Sequence, residues 1–212
     1  MLDCFSMQSS MARLYIAASR ASSTLHPETM STPPSPARSL RRWLLRATLL
    51  LIAGVAVLSL WNSPWAAAPK MLWTLGRMPV ATELPVPVDG VRPRQIADTF
   101  GAPRGSDRTH AGIDIFGKRG TPVRSATVGV IADVRESGLG GRQVWVIGPG
   151  RERYYYAHLE DWAEGLARGQ VVQAGQLLGY VGDSGNAKGT PPHLHWGIYG
   201  TDGARDPLPL LR

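Results

Sequence analysis

His110-Ala-Gly-Ile-Asp114, His158 and His193-Leu-His195 place four of the chain's five histidines and one carboxylate within 86 positions. Neutral imidazoles and a carboxylate are the donors of a catalytic zinc site, in which three protein ligands leave a fourth position to water. Strand side chains alternate with a period of two, so in extended segments His110 and Asp114 share a face. By the same rule His193 and His195 share a face, with Leu194 turned the other way. Five candidates exceed the three ligands required, and surplus histidines suit proton transfer, a combination that points to a hydrolase. Each fragment is weak by itself. A lone histidine is more often solvated or hydrogen-bonded, and His26 is read so; HxH and HxxxD carry little information singly. Their clustering favours the metal-site reading, while spacing alone leaves the choice of three ligands open.

The elements that must position these groups read as strands. From Gly101 onward lie 21 of the 24 glycines, and short apolar runs separated by glycine turns predict an all-β domain. Candidate strands cover 121–134, 142–147, 153–159, 176–181 and 193–199, and 159–168 is expected to include a turn of helix. Tyr154, Tyr155, Tyr156 and Trp196 divide between core and groove, with none assigned. The stretch Gly182-Asp183-Ser184-Gly185-Asn186-Ala187-Lys188-Gly189-Thr190 lacks the spacing of a phosphate loop and a following helix, so it reads as a flexible wall of a substrate groove closed by Pro191-Pro192.

Charge and hydropathy organise the remainder. Residues 1–81 hold eight Lys and Arg against two Asp and Glu, and residues 82–212 hold fifteen against fourteen. The domain with the histidines is therefore nearly neutral, which argues against nucleic acid as a partner. The basic excess flanks a hydrophobic segment at 43–61, charge-free from Ala47 to Trp61, with Arg38, Arg41, Arg42 and Arg46 before it and Trp43, Trp61 and Trp65 bracketing it. By the positive-inside rule the N-terminus stays in the cytoplasm and the C-terminal part is exported. A retained inner-membrane anchor is the reading preferred over a signal peptide cut at Ala66-x-Ala68, which would leave the domain free in the periplasm. Four regions follow: a disordered leader at 1–42, whose true start is placed at Met30; the anchor or signal at 43–61; a linker at 62–91, with Pro79, Pro85 and Pro87 as an extended spacer; and the catalytic domain at 92–212. Cys4, the only cysteine, falls in the leader, so the exported part has neither disulfides nor a cysteine nucleophile.

The ordered motifs HxxxD, Tyr156-Ala157-His158-Leu159 and His193-Leu194-His195 resemble the M23 family of zinc metallopeptidases, the lysostaphin or LytM-type peptidoglycan endopeptidases. Gly120-Thr121-Pro122-Val123, Ala174-Gly175-Gln176 with Gly179, and Pro192 before the HLH extend the likeness over about residues 90–205. One departure is Trp196 where family members usually have Phe. The resemblance implies a two-layer β-sandwich of the duplicated hybrid-motif type, with glycine-rich loops around a groove. It implies zinc held by His110, Asp114 and His195, and His158 and His193 as catalytic residues. One of these two would move the attacking water's proton and the other would steady the oxyanion, in an order left open. The implied substrate is the stem peptides of peptidoglycan, and behind an envelope of the Gram-negative kind it is the D-Ala to diaminopimelate cross-link. Some relatives are non-catalytic activators of other wall hydrolases; those typically lose ligands, whereas all five positions are filled here. Biotinyl and lipoyl carriers share phrases such as Gly175-Gln176-Leu177-Leu178-Gly179, but Lys118 and Lys188, the domain's lysines, do not sit at the hairpin turn a carrier modifies.

Overall fold

The computed structural model describes residues 36–104 and 107–212; Cys4, His26, Met30 and the leader up to residue 35 lie outside the described residues. The chain divides into two units, 1–53 and 54–212. Helix α1 (Pro36–Trp61) has 26 residues, about 39 Å at about 1.5 Å per residue. Within its stretch 39–61, an 18-residue window has a mean hydropathy of 2.1 and no part of that window is buried. Length and composition would therefore let it cross a hydrocarbon core of about 30 Å. The helix begins within the expected leader, because a proline in the first turn costs no backbone hydrogen bond.

The second unit is mostly β-sheet with few helices. After a single 3-10 turn, α2 (Ala67–Leu75) opens the structured body. Among the described residues twelve strands follow: β1 (Pro103–Arg104), β2 (Arg108–Thr109), β3 (Ile113–Phe116), β4 (Pro122–Arg124), β5 (Gly129–Ser137), β6 (Gly141–Ile147), β7 (Arg153–Ala157), β8 (Leu159–Trp162), β9 (Val171–Val172), β10 (Leu177–Val181), β11 (His193–Gly200) and β12 (Gly203–Arg205). The large sheet runs β12-β11-β7-β6-β5-β9, and β3 pairs with the first half of β11; β4-β10-β8 form a second sheet, and β1-β2 a hairpin. Residues 159–162 are strand, so the expected turn of helix after His158 is absent from the described structure. Leu159 is buried at one end of that strand, which pairs with β10, and sheet pairing outweighs weak helix propensity.

Register decides where the histidines point. Across β3 and β11, His195 faces Asp114, Leu194 faces Ile115 and Trp196 faces Ile113. Ile113, Ile115, Leu194, Trp196 and Ile198 are fully buried in one core that also draws Val123, Leu178 and Val181 from the second sheet. A slip of one residue would turn these apolar side chains to solvent and the ligand candidates into the core, so packing fixes the register. Tyr154 and Tyr156 alternate into the same core, paired with Val146 and Val144. Tyr155 faces the other way and stacks on Trp145 at 4.2 Å.

The segment expected as a spacer is instead sewn onto the domain. Leu75 of α2 is fully buried, as are Leu84 and Val88 beyond it. Leu84 N–H donates to Leu210 O at 2.8 Å and Leu84 O accepts from Arg212 N–H at 3.0 Å; Arg124 N–H donates to Pro87 O at 2.8 Å. Arg205 joins Ala81 O at 3.0 Å to the buried Glu152 carboxylate, whose Oε1 lies 3.0 Å away. The prolines signal extended backbone correctly, but extended backbone with apolar residues at alternate positions packs as an edge strap rather than a spacer.

Candidate metal centre

His110, Asp114 and His195 meet at the open face of β3 and β11. His110 Nε2 lies 2.8 Å from His195 Nδ1 and 3.1 Å from Asp114 Oδ1, and His195 Nδ1 lies 3.2 Å from the same oxygen. Three donors about 2.0–2.1 Å from a tetrahedral zinc stand about 3.3 Å apart, so this set fits one ion. Asp114 and His110 are buried and the His195 side chain is 14% exposed, which leaves one open side.

The backbone fixes which nitrogen each ring presents. A carbonyl oxygen only accepts, so the His110 Nδ1–H donates to Thr99 O at 2.7 Å and Nε2 is left to the site. Thr99 also accepts the Asp114 N–H through Oγ1 at 3.1 Å, so one residue outside the motif orients two candidate ligands. The His158 Nδ1–H donates to Ser184 O, and the His193 Nδ1–H to Pro191 O, each at 2.8 Å. Both therefore turn an Nε2 lone pair toward the cleft. Such partners hold a ring in one tautomer and raise its basicity as a ligand or base.

Gly112 explains the middle of HxxxD. A Cβ there would stand 2.5 Å from Trp196 O and 3.0 Å from the His195 ring, so only glycine lets β3 approach β11 closely. His158 has φ +62°, a left-handed conformation that a residue with a Cβ adopts at a cost of about 1–2 kcal/mol. Its N–H is held by Gly140 O at 2.9 Å. That backbone turns the ring to within 5.1 Å of His193 and 5.9 Å of His195, centroid to centroid.

Electrostatics follow from burial. Burial pushes the Asp114 carboxyl up, but the neighbouring His110, His195 and Arg104 side chains pull harder and hold it well below the usual carboxylate range. Burial pushes His158 down to about 4, the Ser184 carbonyl offsetting only part of this, and it lowers His195 as well. Both rings are thus neutral near pH 7, the form able to bind a metal or accept a proton. Tyr155, raised to about 12 by burial, keeps its hydroxyl proton.

The five groups open onto a cleft of about 310 Å³. Asn186, Ala187 and Thr190 form one wall, in the loop expected to be a flexible groove wall. That loop is pinned: Asn186 N–H donates to Leu139 O at 2.9 Å and Arg142 N–H to Ser184 Oγ at 2.9 Å. Tyr155 and Tyr199 line the cleft while Tyr154, Tyr156 and Trp196 are core, which settles the aromatics left unassigned. Thr99, Arg104, Arg108 and Tyr199 escaped the sequence reading. No short motif marks them, and only folding brings them to the histidines.

Residues 108–207 match Peptidase family M23. This part of the chain is a peptidase family M23 domain. The L-Ala–D-Glu endopeptidase of Bacillus subtilis (strain 168) is 39% identical over 125 residues, 54% of this chain and 38% of its own length. Lysostaphin of Staphylococcus staphylolyticus is 35% identical over 109 residues, 49% of this chain and 22% of its own. The chain thus spans well under half the length of these curated relatives. Among solved structures, a zinc-containing peptidase from Vibrio cholerae is 28% identical with a TM-score of 0.50, covering 57% of this chain and 38% of that one.

Proposed function

We propose that the M23 domain is a zinc-dependent endopeptidase that hydrolyses peptide cross-links of bacterial peptidoglycan, with His110, Asp114 and His195 as the metal ligands. The observation that carries this reading is the convergence of three donor atoms within 3.2 Å of one another, each on an oriented side chain. Relatives named as endopeptidases support it, as does a neighbour named as zinc-containing. Bound there, zinc would act as a Lewis acid on a peptide carbonyl and lower the pKa of water.

The remaining work falls to the chain's own groups. His193 Nε2 lies 4.0 Å from Asp114 Oδ1, next to the ligand set. It takes the proton of the attacking water and returns it to the leaving amine. His158, with its Nδ1–H committed to Ser184 O and its pKa near 4, stays neutral when His193 has taken the proton of the water. In that form it accepts a hydrogen bond at Nε2 and orients water or substrate; it has no second N–H with which to steady an oxyanion. All five positions are filled, so nothing favours the activator reading. Helix α1 is assigned as the membrane anchor, with the domain in the periplasm. Ala68 lies in the first turn of α2, so cleavage after it would truncate a helix that packs on the domain.

The test is incubation of the full chain with intact peptidoglycan, followed by separation of the muropeptides. Conversion of cross-linked dimers to monomers, lost on chelation and restored by zinc, is the expected result. Dimers left intact with zinc bound would refute the endopeptidase reading.

A further inference from the structure

The β1-β2 hairpin carries two arginines that the chemistry above does not use. Arg104 and Arg108 are directly opposed across the antiparallel pair, so their side chains leave the same face. Both line the cleft with His110, Asp114 and His195. Like charges directly opposed across strands destabilise a hairpin unless an anion lies between them. Arg104 makes contact through Nη2 alone, with Asp114 Oδ2 and, at 3.1 Å, with each ring nitrogen of His110. Its Nε and Nη1 donate to nothing among the described residues, and Arg108 has no ion-pair or hydrogen-bond partner there, the neighbouring Asp107 included. Among the described residues Asp114 is the sole carboxylate lining the cleft, and it belongs to the proposed ligand set. The cleft therefore offers guanidinium donors beside the reacting centre that no anion among the described residues satisfies.

We propose that Arg104 and Arg108 form a specificity subsite for a free carboxylate on the substrate, carried by the residue that supplies the leaving nitrogen. Guanidinium groups bind carboxylates through paired, charge-assisted hydrogen bonds. Arg104 touches His110, so an anion that it holds lies within about one residue, roughly 3.5 Å, of the scissile bond. The inference rests on the endopeptidase reading and narrows its substrate. In a D-Ala to diaminopimelate cross-link, the carbon bearing the leaving nitrogen also bears a free carboxyl group, whereas an internal glycine of a bridge carries none. The subsite thus selects cross-links whose leaving residue is acidic and discriminates against amidated or glycine-bridged ones.

The test uses the full chain and two synthetic D-alanyl-diaminopimelate peptides, one with the carboxyl beside the scissile nitrogen free and one with it as a carboxamide. Relative kcat/KM and the dissociation constants of both peptides are measured for wild type, Arg108→Gln and Arg168→Gln, an exposed arginine outside the cleft. The wild type and Arg168→Gln should favour the acid at least about tenfold, and Arg108→Gln should reduce that ratio below about threefold. Equal turnover and equal binding of acid and carboxamide by the wild type would overturn the subsite while leaving the peptidase reading intact. Tighter binding of the acid with cleavage of neither peptide would uphold the subsite and refute the peptidase reading.

Discussion

Replacing Gly112 with alanine tests whether close approach of β3 to β11 builds the centre. The new methyl would lie 2.5 Å from Trp196 O and 3.0–3.1 Å from two atoms of the His195 ring. Relief to an ordinary contact of about 3.4 Å needs a shift approaching 1 Å, and the nearest obstacle is backbone on a strand whose other edge is paired with β7. Overpacking of this kind costs about 1–3 kcal/mol. Alanine returns about 0.4–1 kcal/mol by restricting the unfolded chain, so a net loss of about 1–2 kcal/mol is expected. Displacing His195 from Asp114 should also weaken zinc binding by about ten- to a hundredfold, in the range for disturbed ligand orientation. Urea denaturation in chelator gives the first quantity and competition with a chromophoric chelator the second. Unchanged stability and unchanged zinc affinity would refute the close-approach argument.

Other expectations follow from single contacts. Leu75→Ala should cost about 2–5 kcal/mol, because this fully buried leucine ties α2 to the domain; a loss under about 0.5 kcal/mol in thermal or urea unfolding would mean that α2 contributes no packing. His158→Gly should be more stable than His158→Ala by about 1 kcal/mol, reversing the usual order, since φ at this position is +62°; a more stable alanine variant would contradict the strained backbone. The folded-state pKa of His158, near 4 against an ordinary 6.5, means that below pH 6.5 the unfolded chain gains a proton the folded chain refuses. Stability should therefore fall by up to about 3 kcal/mol between pH 6.5 and 4 and level off below. Measured with chelator present, His158→Gln should lose that part of the slope, and identical slopes would exclude the cause.

The strand spacing was legible in part: Asp114 faces His195 across β3 and β11 as period-two geometry requires, and His193 shares the face of His195, whereas His110 precedes β3 and is held by Thr99 instead. Glycine turns and short apolar runs likewise announced a mostly β domain. What escaped depends on tertiary partners. Thr99 orients His110 through a backbone carbonyl, a group every residue has, and so leaves no mark in the sequence. Arg104 and Arg108 gain meaning from the turn of a hairpin toward the cleft. The strap from Leu84 to Val88 was misread because prolines signal extension equally in a free spacer and in a packed edge, and only the burial of alternate residues separates the two. The boundary of α1 was missed by its polar first turns, which helix propensity carries without any hydrophobic signal.

The most direct test of the central assignment is zinc content and muropeptide cleavage of wild type, His195→Ala and His193→Ala, measured on the same preparations. One zinc per chain and cleavage are expected for wild type, no zinc and no cleavage for His195→Ala, and retained zinc with lost cleavage for His193→Ala. Equal loss of zinc from both variants would contradict the separation of ligand from proton carrier.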